Sequence, residues 1–447
     1  MSTSRRPPQG DVRAAASWVV ERTLGSRTSV DAFLPGALAR FDARDQGLLT
    51  ELVLGTLRWL RRLDHVLARA SSRRLADIDP VLLAPLRVGA YQLLFLDRVP
   101  AHAVVDEAVE QARQLTHRGG ASFTNAVLRR IARTPALSSF PVEEGDPVRR
   151  MAIELSHPDL LAERWVSRFG AATARALMEA NNRPKPLHLL AFRDRGGREL
   201  LAEMLIDEGV DVAPSRLSPL GLICTAGNAL ATRAFHRGEF YIQDEASQVA
   251  AWLPPPRPGE RVLDAAAAPG GKTFALLALE PSLKVVAADV AVSRLGTLAA
   301  NCTRLRRRIP LLGADAGEAP LAGRFDRVLL DLPCTGTGTL RKHPELKWRI
   351  SEDEIGRLAS QGARLLRGVA PLVAPGGLLV AISCSLEEEE NEGAITQFLA
   401  SARDFEPLAL EDHLTRPLDH HIRGPGLWRI LTADDHDGFS VQVLRRR

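Results

Sequence analysis

Two cysteines and four aspartates stand at the ends of short apolar runs in the last part of the chain. Asp264 closes "RVLDAAA", Asp289 closes "KVVAADV" and Asp315 closes "IPLLGAD". Asp331 ends "RFDRVLLDLP" with Cys334 three residues on, and Cys384 ends "GGLLVAISCS". A single Asp at a strand end is ordinarily a cap or turn residue. A lone Cys in an apolar strand is ordinarily an inert core thiol, which is the reading for Cys224 and Cys302. Four acids and two thiols in register on one rim call for another explanation. One chemistry needs such a set. Carbon-5 of a pyrimidine is not nucleophilic until a thiolate adds to carbon-6 and makes it enamine-like. The reaction then needs an acid near N3 and a base for the carbon-5 proton, and two thiols with an aspartate can meet those needs.

The turn that would feed this rim reads "LDAAAAPGGKT" over residues 263–273. It ends like a phosphate loop, but Gly-x-x-x-x-Gly-Lys-[Ser/Thr] requires glycine at 266, and the residue there is Ala266. Triphosphate charges would also be repelled by the acidic rim. Gly-x-Gly-x-x-Gly is absent, which argues against a dinucleotide. Asp289 follows Gly271 by 18 residues, the distance at which an acid bonds a ribose diol. An adenosine ligand without phosphates fits better, and S-adenosyl-L-methionine is one. Gly270 and Gly271 would let the backbone approach it, and the following helix start would face its carboxylate.

The elements that must position these residues follow from periodicity. From 260 onward strands alternate with helices such as "KTFALLALE" and "EIGRLASQGARLLRGVAPLV", which predicts a mostly parallel α/β sheet with helices on both faces. The acidic run "EEEENE" at 387–392 is expected to open a helix, where acids suit the dipole. Residues 11–134 repeat apolar positions at helical spacing and predict an all-α domain. A Pro- and Ser-rich break, "TPALSSFPVEEGDP", follows. Residues 150–240 mix helices with the strands "PLHLLAF" and "LGLICTAG", a small α+β subdomain. The expected spans are 1–140, 150–240 and 241–447, a multi-domain chain ending in a Rossmann-like domain.

Charge separates these spans. Residues 1–135 hold 20 Arg, no Lys and 13 acidic residues, so they are net basic although the whole chain is only +4. A polyanion partner, nucleic acid, is expected for that segment. The opening "MSTSRRPPQGDVRAA" has no signal-peptide run, no 18-residue apolar stretch occurs, and four scattered cysteines with no Cys-x-x-Cys pair suit neither a disulfide framework nor zinc. The expectation is a cytoplasmic protein with no metal and no membrane segment.

At this point the chain resembles the RNA 5-methylcytosine methyltransferases of the RsmB/Sun (Fmu) type, in the wider NOL1/NOP2/Sun group. The likeness is carried by "YIQDEASQ" (241–248), "VLDAAAAPGGKT" (262–273), "DLPCTGTGTLRKHPELKW" (331–348), "SCSLEEEENE" (383–392) and, more weakly, "DGFS" (437–440). The segments "LRVGAYQLLFLDRVPAHAVVDEAVE" and "FTNAVLRRIAR" resemble the NusB-like RNA-binding domain. The resemblance implies a monomeric enzyme that uses S-adenosyl-L-methionine on 16S ribosomal RNA, free or in a partly assembled small subunit. Ala266, Ala267, Ala268, Pro269, Gly270, Gly271 and Lys272 would form the cofactor loop, with Lys272 near cofactor or RNA. Asp289 would bind the ribose, Asp315 would lie near the adenine, and Asp331 would serve both the methionine end and the target cytosine. Cys384 would be the nucleophile, and Cys334 would assist proton removal and product release. The chain departs from the family pattern at Ala266, where Cys is frequent, at Ala381, where Tyr is usual, and at Leu190 and Phe192, where Arg and Asn are common. The competing readings are a P-loop NTPase and a non-catalytic RNA-binding protein.

Overall fold

The computed structural model describes residues 8, 10–116, 118–137, 144–318, 323–414, 417–433 and 435–447. Parts of the opening segment and of the Pro/Ser-rich break lie outside the described residues. The chain forms two compact units, one of residues 1–183 with 340–349, the other of residues 184–339 with 350–447.

The first unit is helical, and its helices start where the sequence supplies caps. Asp11 accepts the amides of Arg13 and Ala14 at the head of Val12–Leu24. Asp79 and Asp146 each precede a proline at the first helical position, a pairing of acceptor and preset φ that suits a helix start. Apolar stripes at helical spacing then meet in one core, with Leu49, Leu52, Val53 and Leu57 against Leu63, Val66 and Leu67. Helices Pro147–Glu154, Asp159–Phe169 and Ala171–Asn181 also belong to this unit by compactness. So does the segment 340–349, which follows the Pro-Cys turn in sequence. Its Lys347 donates to Arg58 O (3.3 Å), Ser156 O (3.3 Å) and Asn182 Oδ1 (2.8 Å). Trp348 Nε1 donates to Leu57 O (2.8 Å), and Glu345 accepts from Ser29 Oγ (3.0 Å).

The second unit holds two sheets. The smaller contains β1 (Leu187–Ala191), β2 (Asp211–Pro214), β3 (Gly221–Ala226) and β4 (Phe240–Ile242), antiparallel in the order β2-β3-β1-β4, with helix Gly197–Asp207 beside it. Leu190 and Phe192 are buried here, and the guanidiniums of Arg195 and Arg307 lie 5.1 and 4.8 Å from the Phe192 ring. At these two positions apolar side chains fill the core where the family pattern carries polar ones.

The larger sheet has nine strands: β5 (Arg261–Asp264), β6 (Lys284–Asp289), β7 (Leu311–Gly313), β8 (Phe325–Asp331), β9 (Val373–Ser383), β10 (Phe405–Pro407), β11 (Ile422–Gly424), β12 (Leu427–Ile430) and β13 (Phe439–Arg446). Its order is β11-β12-β13-β9-β8-β5-β6-β7, with β10 against β13. Strands β5 to β9 are parallel. The expected mostly parallel sheet is therefore only its first half. The last strands run antiparallel, with β13 paired to β9 from Ser440↔Ser383 to Arg445↔Leu378. From β10 onward, the described residues between them form no α-helix, so no helical spacer marks them in the sequence. The chain runs outward from β5 to β7 and returns to β8 on the other side of β5. Such a reversal opens a crevice at the carboxyl ends of the strands.

Candidate functional site

The register of the sheet brings the named strand ends to that crevice. Asp264 is level with Leu329 on β8, and Asp331 is level with Ile382 on β9. The Leu332 amide extends the β8–β9 pairing by donating to Ile382 O (2.7 Å), so the Pro-Cys turn leaves the sheet beside the end of β9. Cys334 Sγ and Cys384 Sγ are 3.4 Å apart.

The turns carrying the two thiols are fastened to each other. Gly338 N donates to Cys384 O (2.8 Å), and Leu386 N donates to Thr337 Oγ1 (2.8 Å). Gly438 N, in the "DGFS" stretch, donates to Gly338 O (2.7 Å). A Cβ at Gly338 would overlap the Gly438 carbonyl and come within 2.9 Å of the Cys384 carbonyl. Only glycine allows that approach, which explains the second glycine of Thr-Gly-x-Gly.

Lys272 Nζ donates to Asp331 Oδ2 at 2.6 Å. Burial would lower the lysine, but Asp331 outweighs it and holds Lys272 above its ordinary value. The bond with Cys334, then burial, push the Cys384 thiol well above 9.0, and Asp331 adds to this while Lys272 opposes it. Cys384 is thus kept as a thiol, with an ammonium as the one charge acting on it that favours thiolate. With Lys272 committed to Asp331, the triphosphate reading of "GGKT" loses its lysine.

The cofactor loop joins these groups at the start of helix Gly271–Leu279. Gly270 has φ +111, and a Cβ there would collide with Phe274 and Leu298. No side chain caps the helix, so its first amides are left for a ligand. Asp289 is buried and accepts from Ala268 N (3.1 Å) and Ala291 N (2.9 Å), which ties the end of β6 to the Ala266–Pro269 stretch. A carboxylate has about four lone-pair sites, so a diol can still bond there. Asp264 accepts Thr273 Oγ1 (2.6 Å) under this turn, and its burial pushes it up to about 6. Tyr241, from "YIQDEASQ", packs on Phe274 with centroids 5.1 Å apart. A bare backbone turn, an uncapped helix start and a buried acid at ribose distance fit an adenosine ligand that ends in an amino acid.

Asp315 stands apart from the thiols. It lies just past β7, is partly exposed, and accepts Gly317 N (2.7 Å) and Arg364 Nη2 (3.2 Å). The acidic run opens a helical segment, as expected, with a π-helical turn, Glu389–Gly393, leading into helix Ala394–Leu399. Its acids also bond particular partners: Glu390 is buried, and Glu392 pairs with Arg429 (2.7 Å). Sequence reasoning also missed a buried charge cluster in which Lys185 lies between Asp244 (3.1 Å) and Asp437. The acids at both ends were in quoted motifs, and the lysine between them belongs to no motif.

Three family models match the chain. The 16S rRNA methyltransferase RsmB/F model matches residues 250–444, the NusB family model 13–133, and the ferredoxin-like domain of RsmF/B-like methyltransferases 157–230. The probable ribosomal RNA small subunit methyltransferase B of Bacillus subtilis is 34% identical over 90% of this chain and 91% of its own. The ribosomal RNA small subunit methyltransferase B of Pseudomonas syringae is 34% identical over 97% of this chain and 96% of its own. The crystal structure of PH0851 aligns over 99% of this chain and all of that one, with 27% identity and a TM-score of 0.80. No described helix is long and apolar enough to cross a membrane. With its helical, α+β and mixed-sheet parts each matched and its length covered, the chain belongs to the RsmB/F family of 16S rRNA methyltransferases.

Proposed function

We propose that this methyltransferase modifies carbon-5 of a cytosine in small-subunit (16S) ribosomal RNA through a transient covalent bond between Cys384 and carbon-6. S-adenosyl-L-methionine is the methyl donor of the family, and the Gly270 turn with Asp289 is the place that suits it. The observation that carries the reading is the 3.4 Å separation of Cys334 and Cys384 at the strand edge where Lys272 meets Asp331. A reaction that changed an exocyclic nitrogen would need no pair of thiols.

The roles follow from chemistry. Cys384 Sγ adds to carbon-6 as its proton passes to the Asp331 carboxylate, and Lys272 favours the thiolate. Asp331 delivers that proton to N3, so the electron pair pushed into the ring reaches carbon-5, where the methyl group is accepted as S-adenosyl-L-homocysteine leaves. Cys334 then assists removal of the carbon-5 proton. The ring electrons return, the carbon-6–sulfur bond breaks, and Cys384 is released. Asp315 stands near the adenine. The basic helical domain supplies RNA contacts, and its affinity should fall steeply with salt. The RNA is bound free or in a partly assembled subunit by a monomer in the cytoplasm.

The test is direct. Cys384→Ala abolishes methyl transfer to RNA while calorimetric S-adenosyl-L-methionine binding survives. Cys334→Ala accumulates an RNA–protein adduct that resists denaturing gel electrophoresis. Full activity in Cys384→Ala would sink the assignment of the nucleophile, and a methylated product lacking 5-methylcytosine by mass spectrometry would sink the reaction.

A further inference from the structure

The Cys334 turn is held on its carboxyl side by a buried acid, and the Cys384 turn by the residue that follows that acid. Glu390 Oε1 accepts Thr335 N (2.8 Å), and Oε2 accepts Thr335 Oγ1 (2.8 Å). Thr335 directly follows Cys334. Thr335 Oγ1 in turn lies 3.5 Å from the hydroxyl of Ser385, which directly follows Cys384. The neighbouring Asn391 Nδ2 donates to Ser385 O (3.0 Å) and Glu387 O (2.7 Å), which fixes the π-helical turn against the Cys384 turn. Glu390 is 1% exposed. Its bonding partners are the amide and the hydroxyl of Thr335, and the charged group acting on it is the Glu387 carboxylate. Burying an acid there is costly unless its hydrogen bonds are needed. A surface helix opening, the ordinary use for an acidic run, would place no carboxyl between two reactive turns.

We propose that Glu390 is a positioning residue that sets the Cys334–Cys384 separation by fixing Thr335 against the Ser385 turn. This rests on the reading that both cysteines serve one reaction. Glu390 bonds the neighbour of Cys334, while Asn391 beside it bonds the neighbour of Cys384, so it acts through them. Burial pushes its carboxyl up to about 7, so glutamine, which is always neutral, reproduces the form the pocket favours. Gln can accept Thr335 N and donate to a rotated Thr335 hydroxyl. Alanine unties Thr335 and leaves only the bonds between the two turns.

Two readouts test the proposal on the full-length protein. In turnover on RNA, Glu390→Ala should lower kcat about 100-fold with KM for RNA little changed, the loss expected from an ångström of misplacement, while Glu390→Gln stays within about fivefold of wild type. The second readout needs no methyl transfer. Diamide oxidises the two thiols to a disulfide, taking both electrons and both protons to become its hydrazine, and the rate of Cys334–Cys384 crosslinking is read by peptide mass mapping. Glu390→Ala should crosslink at least about tenfold more slowly than wild type, and Glu390→Gln should match wild type. Wild-type crosslinking in Glu390→Ala overturns the proposal, as does a Glu390→Gln variant as slow as alanine. If Glu390→Ala does not fold, Thr335→Val removes one of the two ties and must slow crosslinking to sustain the proposal. Activity in Cys384→Ala would defeat the assigned reaction while leaving the crosslinking result to judge Glu390.

Discussion

Lys272 and Lys347 are two of only five lysines in the chain, and both are withdrawn from solvent. Lys347 is fully buried, and the Lys272 side chain is 14% exposed. Burial lowers both. For Lys272 the carboxylate of Asp331 reverses the sign, and the lysine ends above its ordinary value. For Lys347 the three hydrogen-bond acceptors are neutral oxygens, the nearby Arg58 adds to the lowering, and the lysine ends well below 10.5. An ammonium beside a carboxylate keeps its charge as a tool. One given only carbonyls spends all three donors as an anchor and bears its charge as a cost.

Removing the tool should cost rate, not fold. Lys272→Met should lower methyl transfer by about 100- to 1000-fold, the scale of losing one charged group at a reacting centre. Calorimetric cofactor affinity should move by less than about threefold, and unfolding free energy by less than about 1 kcal/mol, because Asp331 is over a third exposed and regains water. A variant that unfolds easily yet keeps its activity would erase the contrast with Lys347.

The contrast extends to the acids. Burial would raise Asp244, but Lys185 and then His188 bring it below its ordinary value. Asp264 has the Thr273 hydroxyl as its side-chain partner, and burial takes it up to about 6. Its folded value lies above its unfolded value of 3.8, so the folded chain binds more protons between the two. Asp264 therefore supports the fold fully below 3.8, and that support is lost as pH rises through about 6. Asp264→Asn keeps an acceptor for Thr273 and has no charge to bury. Its unfolding free energy relative to wild type should improve by about 2–3 kcal/mol from about pH 4 to about pH 8 in urea titrations. A flat difference would mean that Asp264 is not held neutral in the fold.

These groups divide by how far sequence could reach them. Asp264, Asp289, Asp331, Cys334 and Cys384 were legible because each ends an apolar run, and parallel strands deliver their carboxyl ends to one edge. The two core architectures were legible for the same reason, since helical and strand periods differ. The antiparallel half of the large sheet was not, because β10 to β12 are three or four residues long and no described α-helix separates β10 to β13. Lys347 and its segment were not, because membership in the helical unit depends on three acceptors far apart in sequence. Glu390 sat in a run of acids that all read alike, and its bonds to Thr335 single it out.

Lys347 supplies the smallest effects and the cleanest sign. Lys347→Met should lose about 2 kcal/mol of stability, as Arg58 O, Ser156 O and Asn182 Oδ1 lose their donor. Methyl transfer per folded molecule should stay within about threefold of wild type. The folded pKa of Lys347 is below 10.5, so in the window between the two the unfolded chain binds the extra proton. Wild type then gains stability with rising pH, and the methionine variant lacks that gain. Its deficit should widen as pH rises within that window. Lys272 has the opposite shift, so its contribution is complete below 10.5 and fades only as pH rises through its higher folded value. The Lys272→Met deficit should therefore stay level across the same interval. Two buried lysines of one chain would then answer alkali differently, and the carboxylate beside one of them is what separates the responses.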